Sequence, residues 1–374
     1  MKNLVLIGAE QVHLHLLMQL AQRALKAPLP FQITLVAPEP RWTAPSLLSG
    51  LVTGQYKSEQ CSLRLDGLLK SSGVSYVAGR VTHMDASNHS LIVDQDEKPL
   101  RIGYDVSSID TEPLTERERV ELSVPGASQY ALFTRPTNAF PLLWQRLEEL
   151  ATRQALHITV IGADTLSVEL AFALRERFAQ CTVTLVCNGQ EPLASHSSDV
   201  RQRVLHRLKA CAITVLPQTC TAIGADHLVL DQVTILACDA PVLTPAASAR
   251  SWFANSGLAL DEKGMIEVNG FQQSTSHPQV FAAGDVASQM CRAHPESSAD
   301  AERAASDLAT NLFAALSGVR LKTCKPPVNG LSFVSCGERY AIASRNHWSV
   351  QGRWVAYWKH WIALRLMARM KSVR

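Results

Sequence analysis

The chain has 374 residues, 47% of them apolar and 18% charged, and a formal net charge of +3. That length allows two domains and a small third region, while a charge so near neutrality argues against nucleic-acid binding. Nine cysteines are scattered without a C-x-x-C pair or zinc-type spacing and read mainly as small buried hydrophobes in a reducing compartment.

Lys2 to Gly8 reads as a short strand ending in glycine rather than the core of a signal segment, and the chain is expected to be cytoplasmic. No apolar run reaches about 18 residues, so nothing is expected to span a membrane. Leu4 to Ile7 is a buried strand, Gly8 turns the chain, and Val12 to Lys26 is a helix. Gln32 to Val36 is the next strand, stopped by Pro38 and Pro40. Strand, glycine turn, helix and strand open a dinucleotide-binding unit, yet of the G-x-G-x-x-G fingerprint only Gly8 survives. Glu10 and His13 hold the other two places. A carboxylate at a helix N-terminus would repel a pyrophosphate by about 4 kcal/mol at about 4 Å in an effective dielectric near 20. Glu10 therefore either points away or caps the helix in place of phosphate. Glu39, just past the second strand, suits an adenosine ribose or is a solvated loop charge. His13 and His15 fall on different helical faces, which favours packing or capping over metal binding; no metal site is expected.

Val74 to Val77 and the stretches from Gly79 to Val93 look like strands of an antiparallel excursion, and Tyr104 to Asp110 like a strand returning to the sheet. After a connector and a helix over Asn138–Thr152, His157 to Gly162 begins a second strand–glycine–helix unit, with Val168 to Phe178 helical and Val183 to Val186 the next strand. Such a repeat is more specific than either copy. Here Asp164 and Ser167 replace glycines, and Cys187 stands where an acid would hold a ribose. Thr234 to Asp239 is expected to end this unit, Ser298 to Leu316 to be a long helix, 322–352 a short sheet and 353–374 a basic helix.

Between them lies Val280-Phe281-Ala282-Ala283-Gly284-Asp285, an apolar strand running into a glycine that admits close backbone approach and an aspartate beyond it. Read alone, this is a strand, a tight turn and an N-capping acid.

In their order, these motifs resemble the FAD-dependent pyridine nucleotide-disulfide oxidoreductase superfamily. They are closer still to a branch found beside or fused to selenide, water dikinase and related to type II NADH dehydrogenases. Gly8 and His13-Leu14 are similar to that branch's G-G-G-H-x-H-V start, and Gly50, Gly54 and Tyr56 to its P-G-x-x-A-G-x-Y. Ser256 to Asp261, Ala341 to Ser344, Gly352 to Val355, Trp358-Lys359 and Met367 to Arg369 carry the likeness to the C-terminus. The resemblance implies an α/β fold of two Rossmann-like FAD/NAD(P)-binding domains, the second inserted in the first, plus a small C-terminal α+β region. Expected bounds are 1–112 and 245–320 for the FAD-binding domain, 113–154 for a connector, 155–244 for the NAD(P)-binding-like domain and 321–374 for the C-terminal region. The late motif would close the FAD site.

Departures cluster where cofactors would touch: Thr111-Glu112 replace a G-S, Cys238-Asp239 a T-G, and Pro295 to Ala304 has lost a lysine, a tyrosine and a glutamine. The lack of a redox cysteine pair argues against disulfide reduction; Cys238 and Cys291 are the two cysteines considered for a place near a flavin.

By this resemblance the chain is an FAD-dependent oxidoreductase, reduced by NAD(P)H and passing electrons to a quinone or other small acceptor. FAD would be held by Gly8, Glu39, Gly284 and Asp285, and NAD(P)H would approach Gly162. No catalytic acid or base is legible. The alternative is a diverged, non-catalytic relative with weakened or lost cofactor binding, motivated by Glu10, Asp164, Glu112 and Asp239. Trp354, Tyr357, Trp358 and Trp361 form one helical stripe among basic residues, suited to the inner face of the cytoplasmic membrane, to a homodimer seam or to the chain's own core.

Overall fold

The computed structural model describes residues 1–96, 98–112, 117–245, 249–288, 298–324, 330–345 and 348–372. Its first sheet is five parallel strands in the spatial order Val280–Ala282, Val106–Ile109, Asn3–Ile7, Gln32–Ala37 and Ser75–Ala78. Leu4 lies opposite Ile33 and Val106, and Phe281 opposite Ser108. A parallel sheet covered on both faces favours apolar strands; Leu4 to Ile7 and Val280–Ala282 are apolar throughout, whereas Val106–Ile109 buries Ser107 and Ser108. Successive residues point to opposite layers. Leu4, Leu6 and Phe281 join the core that holds apolar residues of helices Gln11–Ala24 and Ser298–Ser317, while Val5, Ile7 and Val280 pack with Val81, Leu91, Val93 and Trp252. The antiparallel excursion is present as Arg80–Asp85, Ser90–Gln95 and Lys98–Gly103.

A second five-stranded parallel sheet repeats the arrangement, in the order Leu132–Phe133, Ala240–Leu243, His157–Ile161, Thr182–Val186 and Thr214–Leu216. Part of the expected connector is thus built into it, through Leu132–Phe133 and the helix Phe140–Arg153 that follows. Thr234–Ala237, from the stretch expected to end the second unit, lies outside its parallel sheet. It forms the last strand of an antiparallel meander with Cys220–Ile223 and His227–Leu230, and Ala240–Leu243 enters the sheet instead. Pro241 concealed that strand, because proline reads as a break; here it faces Thr159 within the register.

Ser332–Ser335, Ala341–Arg345 and Trp348–Gly352 form the short C-terminal sheet, and helix Arg353–Ser372 packs on it through Val355. The expected aromatic stripe divides. Trp358 packs edge-on against Phe333 with ring centres 5.3 Å apart, whereas Trp354, Tyr357 and Trp361 are 56%, 57% and 55% exposed. Among the described residues, no helix is long and apolar enough to cross a membrane.

Candidate functional site: an acidic crevice and a three-way cavity

Gly8 ends the first strand at φ +89°, and a Cβ there would collide with the Asp110 carbonyl. Only glycine fits, and the neighbour that demands it is the chain itself. Helix Gln11–Ala24 starts after Glu10, yet Glu10 does not cap it. Asp110 does: its Oδ2 accepts from the His13 N–H at 2.7 Å, supplying an acceptor to one of the unpaired amides of the first turn. Glu10 turns instead toward Trp42, whose Nε1 donates to it at 3.1 Å. The Gly284 backbone closes over the same Asp110 carboxylate, which a Cβ at Gly284 would strike. His13 is buried with its Nδ1 2.7 Å from the Gly8 carbonyl and Nε2 2.8 Å from Ser108 Oγ, and burial pushes its pKa down to about 4.

Asp285, Glu112, Glu10, Asp110 and Arg135 line a pocket of about 100 Å³ here. It shares Glu10, Thr111 and Glu112 with a cavity of about 220 Å³ bordered by Gly8, Glu39, Arg41, Arg80 and Arg250. Four carboxylates so close cannot all ionise cheaply. Burial, with repulsion from Asp285 behind it, pushes the Asp110 carboxyl up to about 7 against the opposing His13 and Val12 amides. Burial first, then Glu112 and Asp110, raises Glu10 well above the usual carboxylate range.

The second unit repeats this self-capping. Gly162 has φ +149° and a Cβ on it would collide with Thr244 Oγ1. Asp164 caps helix Thr165–Arg177, its Oδ1 accepting from the Ser167 N–H at 2.8 Å. Cys187 is fully buried just past strand Thr182–Val186. Gly8, Gly284 and Asp285 are therefore gathered around Asp110, Glu39 sits at the edge of the adjoining cavity, and Gly162 stands at the matching turn of the second unit, lining neither. The stretch 289–297, with Cys291 and Pro295 to Ser297 of the expected flavin-side departures, lies outside the described residues. Cys238 is buried in the small core around Phe133 and lines none of these pockets.

A third cavity, of about 560 Å³, lies where three parts of the chain meet. Its walls include Leu47, Ser49 and Tyr56 from the first unit, Glu169, Ala173 and Glu176 from helix Thr165–Arg177, and Ser335, Lys359, His360 and Ala363 from the C-terminal region. Glu169 is 4% exposed and paired with the Lys359 ammonium. Its carboxylate also accepts from the Ser49 hydroxyl at 3.0 Å and the Ser335 N–H at 2.7 Å, and Lys359 donates to Ser335 Oγ at 2.8 Å. A buried charge pair persists only with this many hydrogen bonds. Beside it, Tyr56 Oη lies 2.6 Å from His360 Nδ1 and the two rings stack.

The sequence profile of the pyridine nucleotide-disulphide oxidoreductases matches residues 117–305, half of the chain. The chain belongs to that family. Demethylphylloquinone reductase NdbB from Synechocystis is 25% identical over 291 residues, 76% of this chain and 71% of that protein. The oxidoreductase ptaL of Pestalotiopsis fici is 24% identical over 343 residues, 86% of each. Among solved structures, the sulfide:quinone oxidoreductase of Aquifex aeolicus superposes with a TM-score of 0.81 at 16% identity, covering 100% of this chain and 92% of that one. NDH2 of Plasmodium falciparum in complex with NADH gives 0.82 at 11% identity, covering 100% and 96%. The two-sheet architecture is thus that of the family, as the motif order implied.

An FAD molecule, which the family fold implies, can be tried against the crevice of this family member. The 220 Å³ cavity offers Glu39 to a ribose and the guanidinium groups of Arg41 and Arg80 at its rim. The middle of the molecule would meet Glu10, Asp110, Glu112 and Asp285. Ionised, these repel a diphosphate; protonated, Glu10 and Asp110 present O–H donors to it. The residues fit the group with that pair protonated.

Glu169, Asp110 and His360 were not singled out from sequence. Glu169 carried a readable signal: it is the charge inside Ser167–Leu174, a helical run buried on every face.

Proposed function

We propose that the chain is an FAD-dependent oxidoreductase of the NAD(P)H:quinone-reductase type. Gly8, Glu39, Gly284 and Asp285 would hold FAD, and Gly162 would lie against the nicotinamide dinucleotide. Family membership and relatives named for quinone reduction support this reading. The observation that carries it is the Glu169–Lys359 pair on the wall of the 560 Å³ cavity. When bound, FAD supplies the redox chemistry. The chain's own residues do the rest: Lys359 holds a proton at Nζ beside the space where an acceptor oxygen would lie, and Glu169 with Ser335 fixes its position. Leu47, Ala173, Ala356 and Ala363 give the same cavity apolar wall for a ring.

A lipid-soluble acceptor would reach that cavity from a membrane surface. Exposed Trp354, Tyr357 and Trp361 on helix Arg353–Ser372, with the Arg365 guanidinium 5.0 Å from the Trp361 ring centre, suit interfacial contact on the inner face of the cytoplasmic membrane. A homodimer seam is the competing use of that face.

One observation favours the second reading, a non-catalytic relative: Asp110 and Asp164 carboxylates occupy both helix N-termini where dinucleotide phosphates bind. The visible absorption spectrum of the purified protein, before and after anaerobic NADH or NADPH, separates the two. A flavin band that bleaches, and then recovers with menadione, supports the reductase. A protein that stays colourless after incubation with FAD sinks it in favour of the non-catalytic reading.

A further inference from the structure

Two donors converge on one nitrogen of His360. The Tyr56 hydroxyl is 2.6 Å from Nδ1 and the Gln55 amide nitrogen 3.0 Å from it. In the neutral ring, Nδ1 is then the acceptor and the proton sits on Nε2. Nε2 has no partner among the described residues, and the ring borders the 560 Å³ cavity. The lock is built deliberately deep. Tyr56 is 7% exposed, its ring lies so close to Gly50 that a Cβ there would collide with it, and its N–H donates to the Gly50 carbonyl at 3.1 Å. On the same cavity, Lys359 brings a second donor, anchored by Glu169 and Ser335.

We propose that His360, held as its Nε2–H tautomer by Tyr56 and Gln55, is a ligand-recognition residue that donates a hydrogen bond to one ring carbonyl oxygen while Lys359 serves another. The cavity thereby selects a planar ring bearing two carbonyl oxygens, a para-quinone, over hydrocarbons of the same shape. A site built to donate hydrogen bonds rejects an analogue that lacks the oxygens, because its donors are left unpaired. This rests on the quinone-reductase reading and names the residue that would read the acceptor.

The test is binding of menadione and of 2-methylnaphthalene to the purified full-length protein, followed by quenching of tryptophan fluorescence. His360→Phe keeps an aromatic ring beside Tyr56 and removes the donor. It should weaken menadione binding by about tenfold and leave 2-methylnaphthalene unchanged. Tyr56→Phe keeps the ring over Gly50 and frees the tautomer; it should weaken menadione by about threefold and shift the His360 ring ¹⁵N resonances away from the Nε2–H pattern. Equal menadione binding by wild type and His360→Phe overturns the inference, as does parallel weakening of both probes, which marks a packing role. Wild-type protein that does not bind menadione overturns it as well. Ferricyanide reduction by NADH keeps the two failures apart: it tests the donor side without the cavity, so its absence counts against the reductase reading, whereas its presence beside an unaffected His360→Phe counts against His360 alone.

Discussion

FAD binding to this chain should weaken as pH rises, and the acidic crevice sets by how much. In the free protein, burial pushes the Asp110 carboxyl up to about 7. A diphosphate charge at about 6 Å, in an effective dielectric near 20, would make ionising it costlier by about 3 kcal/mol, roughly two more pKa units. Between those two values the bound form holds one more proton than the free form, so protons favour binding. The FAD dissociation constant should then rise about tenfold per unit from about pH 7 to about pH 9. Arg41, Arg80, Arg135 and Arg250 at the same crevice stay charged throughout, and His13, pushed down to about 4, has already lost its proton. In Asp110→Asn the amide oxygen still accepts the His13 N–H but has no proton to lose, and the slope should flatten. Glu10→Gln alone should leave the Asp110 step in place. The assay is quenching of FAD fluorescence, titrated across pH at fixed ionic strength. A wild-type constant that is flat over that range, or an Asp110→Asn variant with the full slope, would refute the reasoning.

Breaking the buried ion pair with Lys359→Met leaves Glu169 held only by Ser49 and Ser335, and should cost about 3 kcal/mol of stability. Thermal denaturation of Lys359→Met and of a double variant with Glu169→Met checks this: the double variant should recover most of the loss. Gly162→Ala places a methyl on Thr244 Oγ1 in a backbone conformation that disfavours side chains, and should destabilise by about 3 kcal/mol, read as a lowered denaturation midpoint. Replacing Trp354 and Trp361 with Glu should abolish co-sedimentation with phosphatidylglycerol vesicles while leaving menadione reduction in detergent intact. Unchanged sedimentation would reassign that exposed face to a second copy of the chain, and analytical ultracentrifugation would show it.

The sheets were legible because their signal is local. Leu4 to Ile7, Gln32 to Val36 and His157 to Ile161 are apolar runs bounded by glycine or proline, and each is a central or near-central parallel strand. Leu132–Phe133 was not, because a two-residue strand has no periodicity to detect. Nor was the true role of Glu10. Sequence placed a carboxylate at the helix start, but the cap came from Asp110, 97 residues from His13, a partner that only the sheet brings near. The large cavity was illegible for the same reason. Ser49 and Glu169 are 120 residues apart, and Glu169 and Lys359 are 190 apart. Tyr56 and Lys359 entered the sequence reading only as family likenesses, whereas His360 gave no signal at all.

The order of strands in the first sheet also bears on how the chain is born. Its edge strand, Val280–Ala282, arrives long after its neighbour Val106–Ile109, and everything needed for the second sheet, from Leu132 to Leu243, is synthesised in between. A ribosome extending the chain at about 5–20 residues per second therefore releases a second sheet able to close while the first still lacks its last strand and Phe281, the fully buried side chain that strand delivers. Until then Val106–Ile109 presents an edge of unpaired backbone groups, the kind of surface that chaperones cover and aggregation exploits. Translational pausing after residue 282 and before it should thus yield nascent chains of very different protease resistance, with the second sheet maturing ahead of the first.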